Sequence, residues 1–188
     1  MCIRDREGSS IANILFGKTN PSGHLTVSFP QSSGHLPAYY NHLPTDRGFY
    51  HKPGSYEQPG RDYVFSSPGP LWAFGHGLTY TTFNYTDMQI QQSVDSIKVF
   101  VTVKNTGRWA GKAVPQLYVR DVFSSISTPV KQLKAFNKVA LEPGETTRVP
   151  LHFAVQDLAL TDEAGKTMVE PGSFEIMIGD ASDHILLK

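Results

Sequence analysis

The feature that most limits the fold of this chain is an alternation of apolar and polar residues, which begins after residue 84 and continues to the C-terminus. The alternation is clearest at residues 97–103. Four aliphatic residues share one face of an extended strand there: Ile97, Val99, Val101 and Val103. Because successive side chains of a strand point to opposite faces, this spacing predicts strands with one buried and one exposed face.

Seven short stretches of this half have strand character, and turn signals separate them. They are residues 85–92, 97–103, 113–122, 132–141, 145–153, 173–178 and 185–187. Several of the turns combine Pro and Gly, as in Glu-Pro-Gly-Glu at 142–145 and Glu-Pro-Gly-Ser at 170–173. Strands repeated every 8 to 12 residues or so are typical of a β-sandwich of the immunoglobulin or fibronectin type III kind. We predict a mainly β fold, with this sandwich over residues 84–188.

Residues 70–83, which we call the seam, join the predicted sandwich to a different kind of sequence. The seam contains four aromatic residues and two glycines: Trp72, Phe74, Tyr80, Phe83, Gly75 and Gly77. Glycine permits a positive φ or the close approach of another segment, and the aromatic rings supply large apolar area. The seam is therefore predicted to be a rigid junction.

The residues before the seam form two segments. Residues 1–30 contain one amphipathic helix at 8–16, with Ile11, Ile14 and Leu15 on one face and Gly17 behind it, and one short strand at 24–29. One helix and one strand do not make a domain, so we interpret residues 1–30 as the end of a larger α/β unit. Residues 31–69 have five prolines, five glycines and no sustained period. We call residues 31–69 the wrap. Together with the seam they are predicted to be an ordered wrap and linker over residues 31–83.

Composition excludes several classes of function. Seventeen basic and seventeen acidic residues cancel and form no basic cluster, which disfavours nucleic acid as a partner. The only cysteine, Cys2, leaves no intrachain disulfide or cysteine-based metal site. No apolar run reaches the roughly 20 residues that span a bilayer. Residues 1–6 lack the apolar region of a signal peptide and are interpreted as translated linker sequence.

The N-terminal motifs resemble, in order and spacing, the C-terminal part of glycoside hydrolase family 3, the β-glucosidase and β-xylosidase group. They are Asn-Pro-Ser-Gly-His-Leu-Thr-Val-Ser-Phe-Pro at 20–30, Leu-Pro-Ala-Tyr-Tyr-Asn-His at 36–42 and Phe-Gly-His-Gly-Leu-Thr-Tyr-Thr-Thr-Phe at 74–83. Further blocks look like that family's fibronectin type III-like domain: Val-Thr-Val-Lys-Asn-Thr-Gly at 101–107, Gly-Lys-Ala-Val-Pro-Gln-Leu-Tyr-Val at 111–119, Lys-Ala-Phe-Asn-Lys-Val at 134–139 and Leu-Glu-Pro-Gly-Glu at 141–145. The resemblance extends from Glu7 to the C-terminus.

The resemblance implies a retaining, exo-acting hydrolase of terminal β-linked sugars that needs no cofactor. In that family a (β/α)8-like barrel carries the nucleophilic Asp, and an α/β sandwich usually carries the acid/base Glu. Both domains are expected upstream, as partners within the same protein, and neither carboxylate can be assigned to a position in this chain. Because retention needs two carboxyl groups about 5 to 5.5 Å apart, the chain alone is expected to be inactive. The sequence does not determine the compartment, although the resemblance favours a periplasmic or secreted protein.

Few residues suggest a site within the chain itself. Asp46 and Arg47 lie in the wrap among tyrosines, either as a local ion pair or as contacts to a sugar at the rim of the upstream active site. Glu142 and Glu145 are interpreted as parts of an exposed turn. The seven histidines are dispersed without metal-ligand spacing, so no metal site is expected.

Two alternatives from other classes stay open, namely a free-standing carbohydrate-binding β-sandwich and a structural module without a ligand. The first would require a row of exposed aromatic residues on one sheet face, whereas the strands carry them singly, at Tyr118 and Phe136. The incomplete α/β unit at residues 1–30 argues against both, because a self-contained module has no reason to begin with part of another unit. Because its apolar helix and the seam would be exposed, residues 84–188 are expected to melt at a higher temperature than the whole chain.

Overall fold

The structure is a computed structural model that describes residues 7–44, 57 and 69–187. Its one described α-helix, α1 (Glu7–Leu15), lies close to the predicted span. Gly17, which has a φ of 71°, follows it, and its N–H donates to the carbonyl of Ile14 at 2.9 Å. A positive φ at glycine costs little, so this residue ends the helix as the sequence predicts. No helix within the described ranges has the length and apolar character needed to cross a membrane.

Two antiparallel sheets form the β-sandwich. The three-stranded sheet has the order β1-β2-β7, and its strands are β1 (Phe83–Gln92), β2 (Ser96–Asn105) and β7 (Thr146–Ala154). The four-stranded sheet has the order β11-β10-β4-β5, and its strands are β4 (Gln116–Asp121), β5 (Gln132–Phe136), β10 (Gly172–Ile178) and β11 (Ala181–Leu187). Two small ladders complete the fold, one of β3 (Gly111–Ala113) with β6 (Val139–Leu141), the other of β8 (Leu160–Thr161) with β9 (Thr167–Met168).

The core lies between the inner faces of the two sheets. The alternation in β2 holds, because Ile97, Val99, Val101 and Val103 are all fully buried. From the other sheet, Leu117, Ile176 and Ile178 are also fully buried and complete the same cluster. Burial of each such side chain stabilises the fold by roughly 1.5 to 3 kcal/mol. The predicted mainly β fold is confirmed.

Two predicted strands are each divided in the structure. Residues 113–122 become β3 and β4 around Pro115, and residues 132–141 become β5 and β6 around Asn137 and Lys138. Pro115 has no N–H to donate to a ladder, and its carbonyl accepts from the Asn137 N–H at 3.3 Å. β3 then pairs with β6, while β4 pairs with β5. The prediction of single strands was wrong here, because the chain changes sheets at the edge of the sandwich.

The predicted strand at residues 24–29 was also wrong. Only two isolated bridges join it to the seam, from His24 to Gly77 and from Phe29 to Trp72. Between them Gly75 has a φ of 81°, which extended strands do not adopt, and the N–H of Phe74 donates to the Ser28 hydroxyl at 3.1 Å. The two segments therefore run side by side without forming a regular ladder.

Candidate functional site

The helix α1 exposes its apolar side chains. None of its residues is buried, and Ile11, Leu15 and the following Phe16 are 51%, 72% and 81% exposed. The seam adds Leu71, Trp72, Leu78 and Tyr80, which are 47% to 72% exposed. We call these seven residues the exposed apolar surface. Exposed apolar area of this kind usually marks an interface with another protein surface or domain.

Hydrogen bonds hold this surface in place against the sandwich. The Asn20 Oδ1 accepts from the Thr79 hydroxyl at 2.8 Å and from the Tyr80 N–H at 2.9 Å, and its Nδ2 donates to the Ala110 carbonyl at 2.8 Å. The Tyr80 hydroxyl donates to the carbonyl of Ile14 at 2.6 Å. Asn20 thus ties the residues after α1 both to the seam and to the turn before β3, so the exposed apolar surface is a fixed feature of the fold.

Three aromatic rings join the wrap, the seam and the sandwich. Tyr40 stacks on Phe74 with ring centroids 4.0 Å apart, and both meet Tyr118 of β4 edge-on, at 6.0 and 6.5 Å. The Tyr40 hydroxyl accepts from the Leu133 N–H at 3.3 Å. Aromatic pairs in these geometries stabilise by about 0.5 to 1.5 kcal/mol beyond their buried area. Tyr118 is therefore covered by the chain's own residues and is not a free sugar-stacking ring.

The surroundings of Tyr118 change its acidity. Burial, with a smaller contribution from neighbouring Tyr40, raises the pKa of Tyr118 to about 12. Its hydroxyl donates to the Gln116 Oε1 at 2.5 Å, and the Gln116 Nε2 donates to the Gly75 carbonyl at 3.3 Å. Lys131 lies 5.1 Å from the Tyr118 ring centroid. This group of polar contacts positions the seam over β4.

A second polar centre lies inside the fold at Asn105, which is fully buried. Its Nδ2 donates to the carbonyls of Trp109 and Leu141 at 2.8 and 3.1 Å. Its Oδ1 accepts from the Thr81 hydroxyl at 2.6 Å and from the Gly107 N–H at 3.1 Å. The side-chain amide of Asn105 thus forms hydrogen bonds with the end of the seam, the turn after β2 and the end of β6.

The polar contacts of the β4–β5 loop connect it to two distant segments, one at Glu170 and one at His42. The Ser125 N–H and hydroxyl donate to the two carboxylate oxygens of Glu170 at 2.9 and 2.5 Å, and these bonds lower the pKa of Glu170. Burial raises the pKa of Asp121, which accepts from the Phe123 N–H at 3.2 Å. The Val130 N–H donates to the His42 carbonyl at 2.9 Å, which attaches the start of the wrap to this loop.

The residues that the sequence singles out do not form a catalytic group. Asp46 and Arg47 lie outside the described residues, so their role stays a prediction. The Glu145 carboxylate accepts from the Glu142 N–H at 2.7 Å and closes the exposed turn, as interpreted. Across the described ranges, no three His, Cys, Asp or Glu side chains come close enough together to hold a metal ion. The residues that organise the site, Asn20, Asn105 and Tyr118, carry no sequence signal that separates them from other polar or aromatic positions.

Two family models match the chain. Residues 3–80 match the glycosyl hydrolase family 3 C-terminal domain, and residues 113–182 match the fibronectin type III-like domain. The first includes α1 and most of the seam, and the second lies within the β-sandwich.

Curated relatives match almost the whole chain. It is 42% identical over 183 residues to a periplasmic β-glucosidase of Salmonella typhimurium, covering 95% of this chain and 24% of the relative. It is 41% identical to the thermostable β-glucosidase B of Acetivibrio thermocellus, covering 96% and 24%, and 37% identical to a β-xylosidase of Formosa agariphila, covering 97% and 25%. The chain therefore spans about a quarter of the length of these relatives.

Solved structures agree with the sequence matches. A β-glucosidase involved in saponin metabolism from intestinal bacteria superposes with a TM-score of 0.85 at 36% identity, over 97% of this chain and 25% of that one. The β-glucosidase from Listeria innocua in complex with glucose gives a TM-score of 0.82 at 34% identity, over 96% and 26%. Given both family models and these relatives, the chain belongs to glycoside hydrolase family 3 and corresponds to its C-terminal part with the fibronectin type III-like domain.

Proposed function

We propose that this chain is the C-terminal part of a retaining, exo-acting glycoside hydrolase of terminal β-linked sugars, and that it stabilises the catalytic domains without supplying catalytic carboxylates. The (β/α)8 barrel and the α/β sandwich would be its partners within the same protein. The observation that carries the proposal is the exposed apolar surface, because Asn20 and Tyr80 fix it rigidly on the sandwich although no described residue covers it.

The relatives support the reaction class and the location. The β-glucosidase and β-xylosidase relatives are about four times as long as this chain, which matches about a quarter of each. The remaining three quarters leave room for catalytic domains. One of them is periplasmic, and we propose a periplasmic or secreted location for this protein as well. On this proposal the chain alone is inactive.

The test is a chimera in which this chain replaces the matching quarter of the Salmonella typhimurium relative. Hydrolysis of p-nitrophenyl β-D-glucoside is measured for the chimera and for the isolated chain. We expect turnover by the chimera and none by the isolated chain above the buffer rate. Hydrolysis by the isolated chain would overturn the proposal.

Two phenylalanines provide a matched pair of variants for the same chimera. Phe16, next to α1, and Phe123, in the β4–β5 loop, are 81% and 83% exposed. Phe16→Ser should lower the yield of soluble, active chimera at least five-fold, because it removes an apolar contact from the interface. Phe123→Ser should leave the yield within two-fold. Equal effects of the two variants would contradict an interface at the exposed apolar surface.

The wrap is proposed to reach the rim of the active site, where Asp46 or Arg47 would bind a sugar hydroxyl. Its described ends meet, since the Gln31 Nε2 donates to the Gly69 carbonyl at 2.7 Å, and Tyr40 attaches one end to β5. Such a closed loop is a common carrier of binding residues. Arg47→Ala in the active chimera should raise KM for oligosaccharides several-fold. An unchanged kcat/KM for every oligosaccharide tested would exclude this role.

A further inference from the structure

The outer face of the three-stranded sheet is a polar surface. Strand register places four outward residues of each strand in rows. They are Asn84, Thr86, Gln89 and Gln91 of β1, Lys98, Phe100, Thr102 and Lys104 of β2, and Thr146, Arg148, Pro150 and His152 of β7. Amides and hydroxyls dominate, and both donate and accept hydrogen bonds. We call these twelve residues the outer face.

The outer face is basic although the whole chain has a formal net charge of zero. Lys98, Lys104 and Arg148 are all exposed, and Asp87 is the only carboxylate in the three strands. None of the three cations forms an ion pair with any carboxylate that the structure describes. Lys98 and Lys104 are six residues apart on one strand, which separates them by roughly 20 Å. By contrast, the strands of the four-stranded sheet carry two cations, Arg120 and Lys134, and three carboxylates, Asp121, Glu175 and Asp183.

The two outer faces of the sandwich also differ in what covers them. On the four-stranded sheet, Tyr118 carries Tyr40 and Phe74, and Gln116 donates to the Gly75 carbonyl. The described contacts of the wrap with the sandwich thus fall on that sheet and its edge strand. The outer face of the three-stranded sheet lies on the opposite side of the sandwich, and none of its twelve residues forms a hydrogen bond or ring contact with a described residue of the wrap or the seam.

The centre of the outer face is organised around Arg148. Its guanidinium lies 4.5 Å from the centroid of the Phe100 ring, and its Nη2 donates to the Gln89 Oε1 at 2.5 Å. These two contacts hold the guanidinium against the sheet. A planar guanidinium that is held in place can bind a carboxylate through two parallel hydrogen bonds.

We propose that the outer face binds an anionic polysaccharide whose sugars carry carboxylates. Lys98, Lys104 and Arg148 would pair with uronate groups, and the amides of the neighbouring strand β1 with hydroxyls. The choice of a glycan rests on the proposed function, which places the enzyme among β-linked sugars, and the charge requirement rests on the outer face alone. Neutral polysaccharides would bind weakly, because Phe100 is the only Phe, Tyr or Trp among the twelve residues and Arg148 lies over its ring.

Other polyanions fit the outer face less well. Duplex nucleic acid is typically held by about 6 to 10 phosphate contacts, and anionic membranes by clusters of about 4 to 8 basic residues. Three cations along roughly 20 Å fall short of both densities. A polyuronate presents fewer charges, separated by hydroxyls, which matches three spaced cations with amides and hydroxyls beside them.

The test is calorimetric titration of the full chain with polygalacturonate at low and high salt, with a neutral glucan of similar length for comparison. We expect binding to polygalacturonate that weakens as salt screens the exposed charges, and no heat from the glucan. The variant pair Lys98→Gln and Lys104→Gln should weaken binding at least ten-fold. The matched pair Lys112→Gln and Lys166→Gln removes two exposed lysines elsewhere and should change binding less than two-fold.

Three outcomes would overturn the proposal: no binding of polygalacturonate, equal loss in the two variant pairs, or tighter binding of duplex DNA or phosphatidylserine vesicles than of polygalacturonate. The titration measures association and not hydrolysis. Its failure would therefore leave the result of the chimera unaffected, and an inactive chimera would leave the charge-dependent binding intact.

Discussion

At the scale of single residues, Asn105 shows how one side chain can connect several segments. A buried amide is costly unless its hydrogen bonds are satisfied, and the four described for the Asn105 side chain reach three segments of the chain. The sandwich therefore depends on the last residues of the seam as well as on its own strands.

Replacement of Asn105 should destabilise the chain strongly. Asn105→Ala leaves the carbonyl of Leu141 and the hydroxyl of Thr81 without their hydrogen-bond partner in the interior. Each buried unsatisfied group costs about 1 to 3 kcal/mol, so we expect a loss of about 3 kcal/mol in urea denaturation. Asn84→Ala, an exposed asparagine of β1, serves as the control and should stay within about 0.5 kcal/mol. Equal losses would contradict this account.

Tyr118 should make stability depend on alkaline pH. Burial raises its pKa from the ordinary 10.0 to about 12, so the unfolded chain releases this proton before the folded chain does. The contribution of Tyr118 to the free energy of unfolding is fully present below pH 10 and is lost as the pH rises toward 12, because the unfolded state binds fewer protons in this range. Tyr118→Phe should flatten the fall in urea midpoint over this window. Tyr85 shifts in the same direction, so the measure is the difference between the two proteins.

At the scale of elements, the backbone of the seam lies close to the side chains of β4 without pairing with that strand in a regular ladder. Gly75 has a φ of 81°, and a Cβ there would collide with the Gln116 Oε1 and lie 2.7 Å from the Tyr118 hydroxyl. A side chain at this position would displace Gln116 or Tyr118, whose hydrogen bonds hold the seam over β4. The two glycines of the seam do predict such an approach, but the partner on β4 is visible only in the fold.

Gly75 can be compared with a glycine of the same backbone conformation in open space. Gly165 has a φ of 79°, and a Cβ added there would meet no atom within 4 Å. Gly165→Ala should cost roughly 1 to 2 kcal/mol from the left-handed conformation alone. Gly75→Ala should cost about 2 kcal/mol more, since the added methyl group also displaces Gln116 or Tyr118. Thermal melts of both variants test this, and equal melting temperatures would exclude the collision.

At the scale of the whole molecule, the N-terminal segments and the sandwich form one folded body. Asn20 reaches Ala110, Thr81 reaches Asn105, and Tyr40 stacks against Phe74 over Tyr118. A boundary between residues 83 and 84 therefore cuts through a packed junction, and β1 already begins at Phe83.

These contacts change the expectation for residues 84–188 expressed alone. The sequence predicts that they melt at a higher temperature than the whole chain, whereas the lost bond from Thr81 to Asn105 and the uncovered Tyr118 lead us to expect a lower one. The shorter protein should nevertheless be more monomeric in gel filtration, because it lacks the exposed apolar surface. Calorimetry decides the first point, and a higher melting temperature for residues 84–188 would restore the original prediction.

The sequence by itself determined the class of fold, the approximate place of most strands, the helix α1 and the family. These follow from local periodicity, turn residues and ordered motifs, which need no knowledge of distant contacts. Only the tertiary structure decided that two predicted strands divide between sheets, that residues 24–29 form no ladder, that Asn105 and Tyr118 organise the junction, and that Tyr40 and Phe74 pack on the four-stranded sheet. Each of these depends on residues far apart in the chain meeting in space, and a local pattern cannot specify such a partner.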